Sequence, residues 1–235
     1  MRLYEQTVPA VFVRRLNRFT AVCLLNGAET LCHVANTGRL RELLVPGARV
    51  WLVPKDGAGR KTAFTLVAAE KDGRTVNIDS LAPNRVFAEY ARSGAYLPGL
   101  TALRSEVPFG SSRIDFAWRD ADGRPGLTEL KGVTLFDENG VAYFPDAPTE
   151  RGVRHLRELA DAAGQGIRAG VCFMLMRPDA VALRPNDRTQ PAFGEALREA
   201  EKAGVSLRAV CCRVTPEEVV PVGEVPVLTR KGAAE

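Results

Sequence analysis

The sequence predicts a two-part chain of mixed class, α/β in the broad sense (α+β): a small antiparallel β-barrel or sandwich, then a mixed sheet covered by helices. Three observations carry this. Before residue 83, short β-rich segments recur between turn residues. After it the period changes, with Val86, Phe87, Tyr90 and Ala91 at helical spacing. Farther on, strand-like runs alternate with two helical patterns, as in a sheet with helices on its faces. A chain of 235 residues has room for both units, and the boundary is expected between 1–83 and 84–235.

Each element follows from a local signal. In the first unit, strands are expected over 11–16, 19–25, 29–35, 49–53, 63–69 and 75–78. Asn26-Gly27 marks a hairpin between the second and third, because a type I′ turn needs positive φ at both central positions. Residues 38–44 can form one or two helical turns before Pro46-Gly47 stops them. In the second unit a helix follows Pro83 and stops near Gly94. Strands are then expected near 113–119, 127–133 and 141–144, and a helix over about 148–163. A buried strand over 168–175, a helix over about 190–203 and a strand over 205–213 complete the unit, and the tail after Pro226 is expected to be loose.

With 46% hydrophobic and 26% charged residues the composition is that of a folding chain. The longest apolar stretch, 170–176, is far short of the roughly 18 residues of a membrane span. Glu5, Arg14, Arg15 and Arg18 interrupt any amino-terminal hydrophobic region, so a cytoplasmic location without membrane association is expected. The five cysteines form no CxxC pair and read as reduced, buried thiols, Cys211 and Cys212 pointing to opposite faces of a strand. Up to Pro83 there are 12 Lys and Arg against 7 Asp and Glu, net +5; from Asn84 onward there are 20 against 21, net −1. The first unit is thus the better candidate for touching phosphate, and the second has carboxylates for a metal.

The chemistry-bearing pattern lies in the second unit. Asp115 stands on one expected strand; Glu129 and Lys131, two apart and so on one face, stand on the next. Two carboxylates and one ammonium make a hard oxygen site for Mg²⁺ or Mn²⁺, with the lysine offsetting charge on a transferring phosphoryl group. Lysine is scarce, 6 of 32 basic residues, which makes Lys131 less expected as decoration. Charges among apolar neighbours are also costly unless they are used. Glu106, nine residues before Asp115, is a candidate third carboxylate. Arg151 and His155, four apart on the following helix, are expected to share a polar face and reach a common ligand, while Val153, Leu156, Ala160 and Ala163 form the buried one. Asp146 or Thr149 would cap that helix.

In the barrel, Arg14, Arg18 and Arg39 are candidates for phosphate contact, and Phe12, Phe19 and Trp51 for base stacking or core. Glycoside hydrolysis by paired carboxylates is a poorer match, since it needs a sugar-shaped aromatic cleft and the chain has two tryptophans.

Several stretches together resemble the sugar fermentation stimulation protein A family. They are His33-Val-Ala-Asn36-Thr37-Gly38-Arg39-Leu40, Pro46-Gly47, Pro83-Asn84-Arg85, Glu106-Val-Pro-Phe-Gly110-Ser-Ser-Arg113-Ile-Asp115-Phe116, Glu129-Leu-Lys131-Gly-Val-Thr134-Leu135 and Phe144-Pro145-Asp146-Ala147-Pro148-Thr149-Glu150-Arg151-Gly152-Val-Arg154-His155-Leu156. The resemblance runs from about residue 10 to about 225. It implies an OB-like amino-terminal barrel, a carboxy-terminal domain similar to PD-(D/E)xK nucleases, and DNA binding tied to regulation of sugar metabolism. Carried over residue by residue, Asp115, Glu129 and Lys131 match the nuclease triad with Glu106 beside them, Asp115 and Glu129 as ligands of Mg²⁺ or Mn²⁺, and Ile114 where the motif name has proline. Arg14, Arg18, Asn36, Arg39, Arg85, Arg113, Arg151 and His155 are the expected nucleic-acid contacts. DNA is the expected partner, with RNA and a homo-oligomer left open. A catalytically silent DNA-binding regulator is the alternative reading.

Overall fold

The computed structural model of the chain describes residues 1–55 and 61–230. Strands β1 (Val8–Asn17), β2 (Thr20–Leu25), β3 (Ala28–Val34), β4 (Arg49–Pro54), β5 (Phe64–Lys71) and β6 (Arg74–Asn77) pair in the order β3-β2-β1-β4-β5-β6. A parallel pairing of β3 with β5, from Cys32↔Phe64 to Val34↔Leu66, joins the ends and closes five strands into an OB-like barrel. Asn26 and Gly27 have φ of 52° and 83°, the positive values that the expected hairpin turn needs. Phe12 and Trp51 are buried, so of the three aromatic candidates only Phe19 is left exposed. The 38–44 stretch makes one turn, in which Leu43 and Leu44 donate to the Leu40 carbonyl.

Helix α1 (Ala82–Arg92) follows, with Pro83 in its first turn, where a missing N–H costs nothing. The second unit then runs β7 (Thr101–Phe109), β8 (Ser112–Arg119), β9 (Pro125–Val133), β10 (Leu135–Phe136), β11 (Val141–Phe144), α2 (Glu150–Gly164), β12 (Arg168–Leu175), β13 (Ala182–Pro185), α3 (Pro191–Lys202), β14 (Ser206–Val214) and β15 (Val219–Val225). Its main sheet has the order β15-β14-β12-β9-β8-β7. The central β9, β12 and β14 are parallel, joined through α2 and α3, and the meander β7-β8-β9 is antiparallel. This is the mixed sheet that the sequence predicts for the second unit. A small sheet, β10-β11-β13, lies beside it.

Alternation along the strands divides the core between the two faces. On β12, Cys172 and Met174 join α1 and the barrel interior, while Val171, Phe173 and Leu175 pack with α2 and α3. Cys212 and Cys211 divide the same way, and all five cysteines are buried. The barrel and one face of the main sheet therefore share a single apolar core, which holds the two units together. The first residues also leave the barrel for the second unit: Leu3 N–H donates to the Glu217 carbonyl at 2.7 Å and the amino terminus to that of Val219 at 2.9 Å.

Four strands were not expected from the sequence: β7, β10, β13 and β15. β7 and β15 are the sheet's edges, and their Pro108, Pro221 and Gly223 break the alternation that marks a strand. β10 and β13 are only two and four residues long. The expected loose tail needs correction. Val227 bridges Leu183, Leu228 donates to the Leu183 carbonyl, and buried Thr229 bonds Glu201 at 2.6 Å. Residues 231–235 lie outside the described residues. Among the described residues, no helix is long and apolar enough to cross a membrane.

Candidate active site

The site forms where β8 and β9 part. They pair from Arg119↔Pro125 to Phe116↔Thr128 and no farther. The next inward donor on β9, the Leu130 N–H, is taken instead by Asp115 Oδ2 at 2.7 Å. Asp115 Oδ1 accepts from Asn84 Nδ2 of α1 at 3.0 Å. Asn84 can come this close because β9 carries Gly132, where a Cβ would stand 2.9 Å from the Pro83 ring. Asn84 was not among the expected site residues; its amide does chemistry only once α1 is docked.

Glu129 and Lys131 project from β9 on the face covered by α2. Glu129 Oε1 bonds both Lys131 Nζ and His155 Nδ1, whereas Oε2 is buried without a hydrogen-bond partner. Burial pushes both carboxylates toward protonation, and what surrounds each decides the outcome. Asp115 is raised by its burial and by the negative charge of Glu129, only partly offset by Lys131 and its hydrogen bonds. For Glu129, burial is outweighed by the Lys131 charge and the His155 hydrogen bond, which hold it down to about 2. Glu106 sits on β7 between Ser105 and Val107, the partners of Phe116 and Ile114, so it lies across from Asp115. Its φ of 56° puts it in the left-handed region, a cost of about 1–3 kcal/mol for a residue with a side chain. It is half exposed and faces Arg113 at 3.6 Å.

These donors fit a hard divalent cation. Both carboxylates are oxygen ligands, and the orphaned Glu129 Oε2 is a buried lone-pair donor in need of a partner. Among the described residues no three His, Cys, Asp or Glu side chains converge as a cage, so Glu106 does not complete one. Two protein carboxylates, with water and phosphate for the remaining positions, is the mode Mg²⁺ favours.

The two carboxylates and Lys131 open into a cleft of about 1140 Å³ between the barrel and the main sheet. Arg18 and Arg39 line it from the barrel and Arg151 from α2. The other expected contacts are used differently. Arg14 is exposed and ion-paired with Glu29 at 2.8 Å, outside the cleft lining. Arg85 donates to the Leu3 carbonyl at 2.7 Å, fastening the amino terminus to α1. Arg113 faces Glu106. Asn36 lines the cleft but spends its amide on the backbone, donating to Ile78 at 2.7 Å and accepting from Gly38 N–H at 2.7 Å. His155 is not on a polar face: it falls on the stripe of Gly152, Leu156, Leu159 and Ala162 and is buried. Thr149 caps α2, accepting from Gly152 N–H at 3.0 Å, while Asp146 reaches across the cleft to the Arg39 N–H at 3.1 Å.

Arg15 is, after Asn84, a second residue that sequence reasoning missed. Its two terminal nitrogens donate to the carbonyls of Gly38 (2.8 Å), Arg39 (3.0 Å), Arg18 (2.6 Å) and Asn36 (2.8 Å). One guanidinium thus gathers the 18–19 turn and the 36–39 loop, and sets the Arg18 and Arg39 side chains at the cleft. Nothing in the local sequence separates Arg15 from Arg14 beside it.

Comparison with known proteins agrees with this architecture. Residues 13–78 match the family model described as the SfsA N-terminal OB domain, and residues 81–218 match the sugar fermentation stimulation protein RE domain. A sugar fermentation stimulation protein homolog from Desulfitobacterium hafniense is 46% identical over 208 residues, 88% of this chain and 90% of the relative. One from Acetivibrio thermocellus is 45% identical over 235 residues, 98% of this chain and 100% of the relative. The solved structure of Pyrococcus furiosus SfsA in complex with Ca²⁺ superposes with a TM-score of 0.89 at 30% identity, covering 97% of this chain and 99% of that one. With both of its units matched in order and nearly its full length shared with these relatives, the chain belongs to the sugar fermentation stimulation protein family.

Proposed function

We propose that the protein binds DNA in the cleft between its barrel and its main sheet and hydrolyses phosphodiester bonds there with Mg²⁺ or Mn²⁺, in the cytoplasm. The observation that carries this is Glu129: a carboxylate held ionised in a buried setting, one oxygen occupied by Lys131 and His155 and the other without a partner. The solved Pyrococcus relative is a complex with Ca²⁺, another oxygen-seeking divalent ion, which supports the binding of a divalent cation by this protein. Asp115 and Glu129 are the residues that would hold it, and it would supply polarisation of the scissile phosphate and a more acidic water. Lys131 offsets charge as the leaving oxygen develops it, and Arg18, Arg39 and Arg151 hold flanking phosphates.

The test is incubation of labelled single- and double-stranded DNA and RNA with the purified protein in Mg²⁺, Mn²⁺ or EDTA, beside Asp115→Ala. Products that need metal and vanish in the variant are expected, with binding largely retained. Equal cleavage by parent and variant would sink the site. The second reading, a silent DNA-binding regulator of sugar-metabolism genes, is favoured by Asp115 having both oxygens in protein hydrogen bonds. It predicts salt-dependent binding with no products in any metal.

A further inference from the structure

His155 has no role in the reading above, yet it is costly where it stands. It is 1% exposed on a helix face whose other buried residues, Glu158 apart, are small or apolar, and there a polar ring loses free energy unless both nitrogens are matched. Both are matched. Nε2 lies 3.2 Å from Arg151 Nε, and Nδ1 meets Glu129 Oε1. An arginine Nε–H can only donate, so Nε2 accepts, the ring proton resides on Nδ1, and that N–H donates to Glu129. The oxygen it reaches is the one Lys131 also holds, while Oε2 has no partner. A glutamate carboxylate otherwise turns easily about its last torsion, which is broad and two-fold, and a single lysine does not decide which oxygen faces which way.

We propose that His155 is a positioning residue: as the neutral Nδ1–H tautomer, locked by Arg151, it pins Glu129 Oε1 against Lys131 and so reserves Oε2 for a divalent cation. Because Arg151 lines the cleft, the same chain of contacts joins the anion-facing side of the site to its cation-facing side. This rests on the reading of Asp115 and Glu129 as cation ligands. It differs from an ordinary buried histidine in demanding one tautomer and one preferred substitute. Asparagine places an amide N–H near Nδ1 and keeps the bond to Glu129; glutamine reaches toward Nε2 and abandons it.

The experiment is calorimetric titration of Mn²⁺ into the metal-stripped full chain, for the parent, His155→Asn and His155→Gln, with ¹⁵N NMR of the parent's imidazole in the metal-free state. Expected are a Kd weakened about 10- to 100-fold in H155Q, as for lost ligand-orienting partners, recovery toward the parent value in H155N, and a ring protonated at Nδ1 only. Equal Mn²⁺ affinity in parent and both variants, or an Nε2–H tautomer, would overturn the role of His155 while leaving the cation site standing. A parent that binds no Mn²⁺ would overturn the cation reading itself and this role with it. Should H155Q fail to fold, the tautomer still decides.

Discussion

Behind the chemical face of β9 lies a polar hub that the fold cannot spare. Thr128 is fully buried, and its Oγ1 accepts from Trp118 Nε1 at 2.9 Å and bonds the Tyr96 hydroxyl at 3.1 Å. Both rings are themselves buried, and the indole has only that one donor. Thr128→Val keeps the shape and removes the oxygen, stranding two buried polar groups at about 1–3 kcal/mol each, so a loss of about 2–6 kcal/mol is expected. In a chain of this size that lowers Tm by about 4–24 °C. Thr128→Ser is the control: it keeps the hydroxyl and loses one methyl, about 1 kcal/mol. Urea and thermal denaturation of both variants supply the comparison. If packing ruled this site, valine would outperform serine; that order, or a valine cost under about 0.5 kcal/mol, would refute the reasoning. Because Thr128 does not line the cleft, Mn²⁺ affinity measured well below Tm should be unchanged in both.

Other consequences follow from single contacts. Glu158 on α2 accepts from the Ser111 N–H at 3.0 Å and the Ser111 hydroxyl at 2.8 Å, and although burial opposes ionisation, hydrogen bonds from Ser112 and Ser111 hold its pKa below the usual value. Its folded pKa lies below the unfolded value of about 4.3, so the stability it contributes is present above that pH and lost as pH falls through the folded pKa; the Tm gap between parent and Glu158→Gln should shrink on acidification, and a constant gap would contradict the assignment. Arg18→Ala and Arg39→Ala should leave Tm unchanged and each reduce the slope of log affinity for duplex DNA against log salt by about 0.9 in filter-binding titrations; unaltered slopes would remove them from the interface. Arg15→Met should weaken DNA binding through the loops it gathers and also cost about 1–3 kcal/mol by calorimetry, since four carbonyls lose a charged donor; weaker binding without destabilisation would mean that Arg15 touches DNA directly.

Much of this architecture is legible in the chain because local signals and tertiary environment agree. The Asn26-Gly27 turn, the recurrence of Ile114, Phe116 and Trp118 at every second position of β8, the helical periods of α1, α2 and α3 and the unbroken apolar run of β12 each reflect a conformation set by backbone geometry. The triad spacing is legible for the same reason: residues two apart on a strand share a face, so Glu129 and Lys131 meet wherever β9 is placed. The edge strands β7 and β15 are not legible, because an edge exposes both faces and tolerates proline.

What only the tertiary structure decides is which like residues are spent on the fold and which are left for a ligand. Arg14, Arg15 and Arg18 are indistinguishable as letters, yet one pairs with Glu29, one gathers four carbonyls and one faces the cleft. Arg151 and His155 share a helical period, but the docking of α2 on β9 turns one outward and buries the other against Glu129. The physical reason is that period places a residue on a face, while the environment of that face, its solvent, dielectric and hydrogen-bond partners, is created by elements distant in the chain.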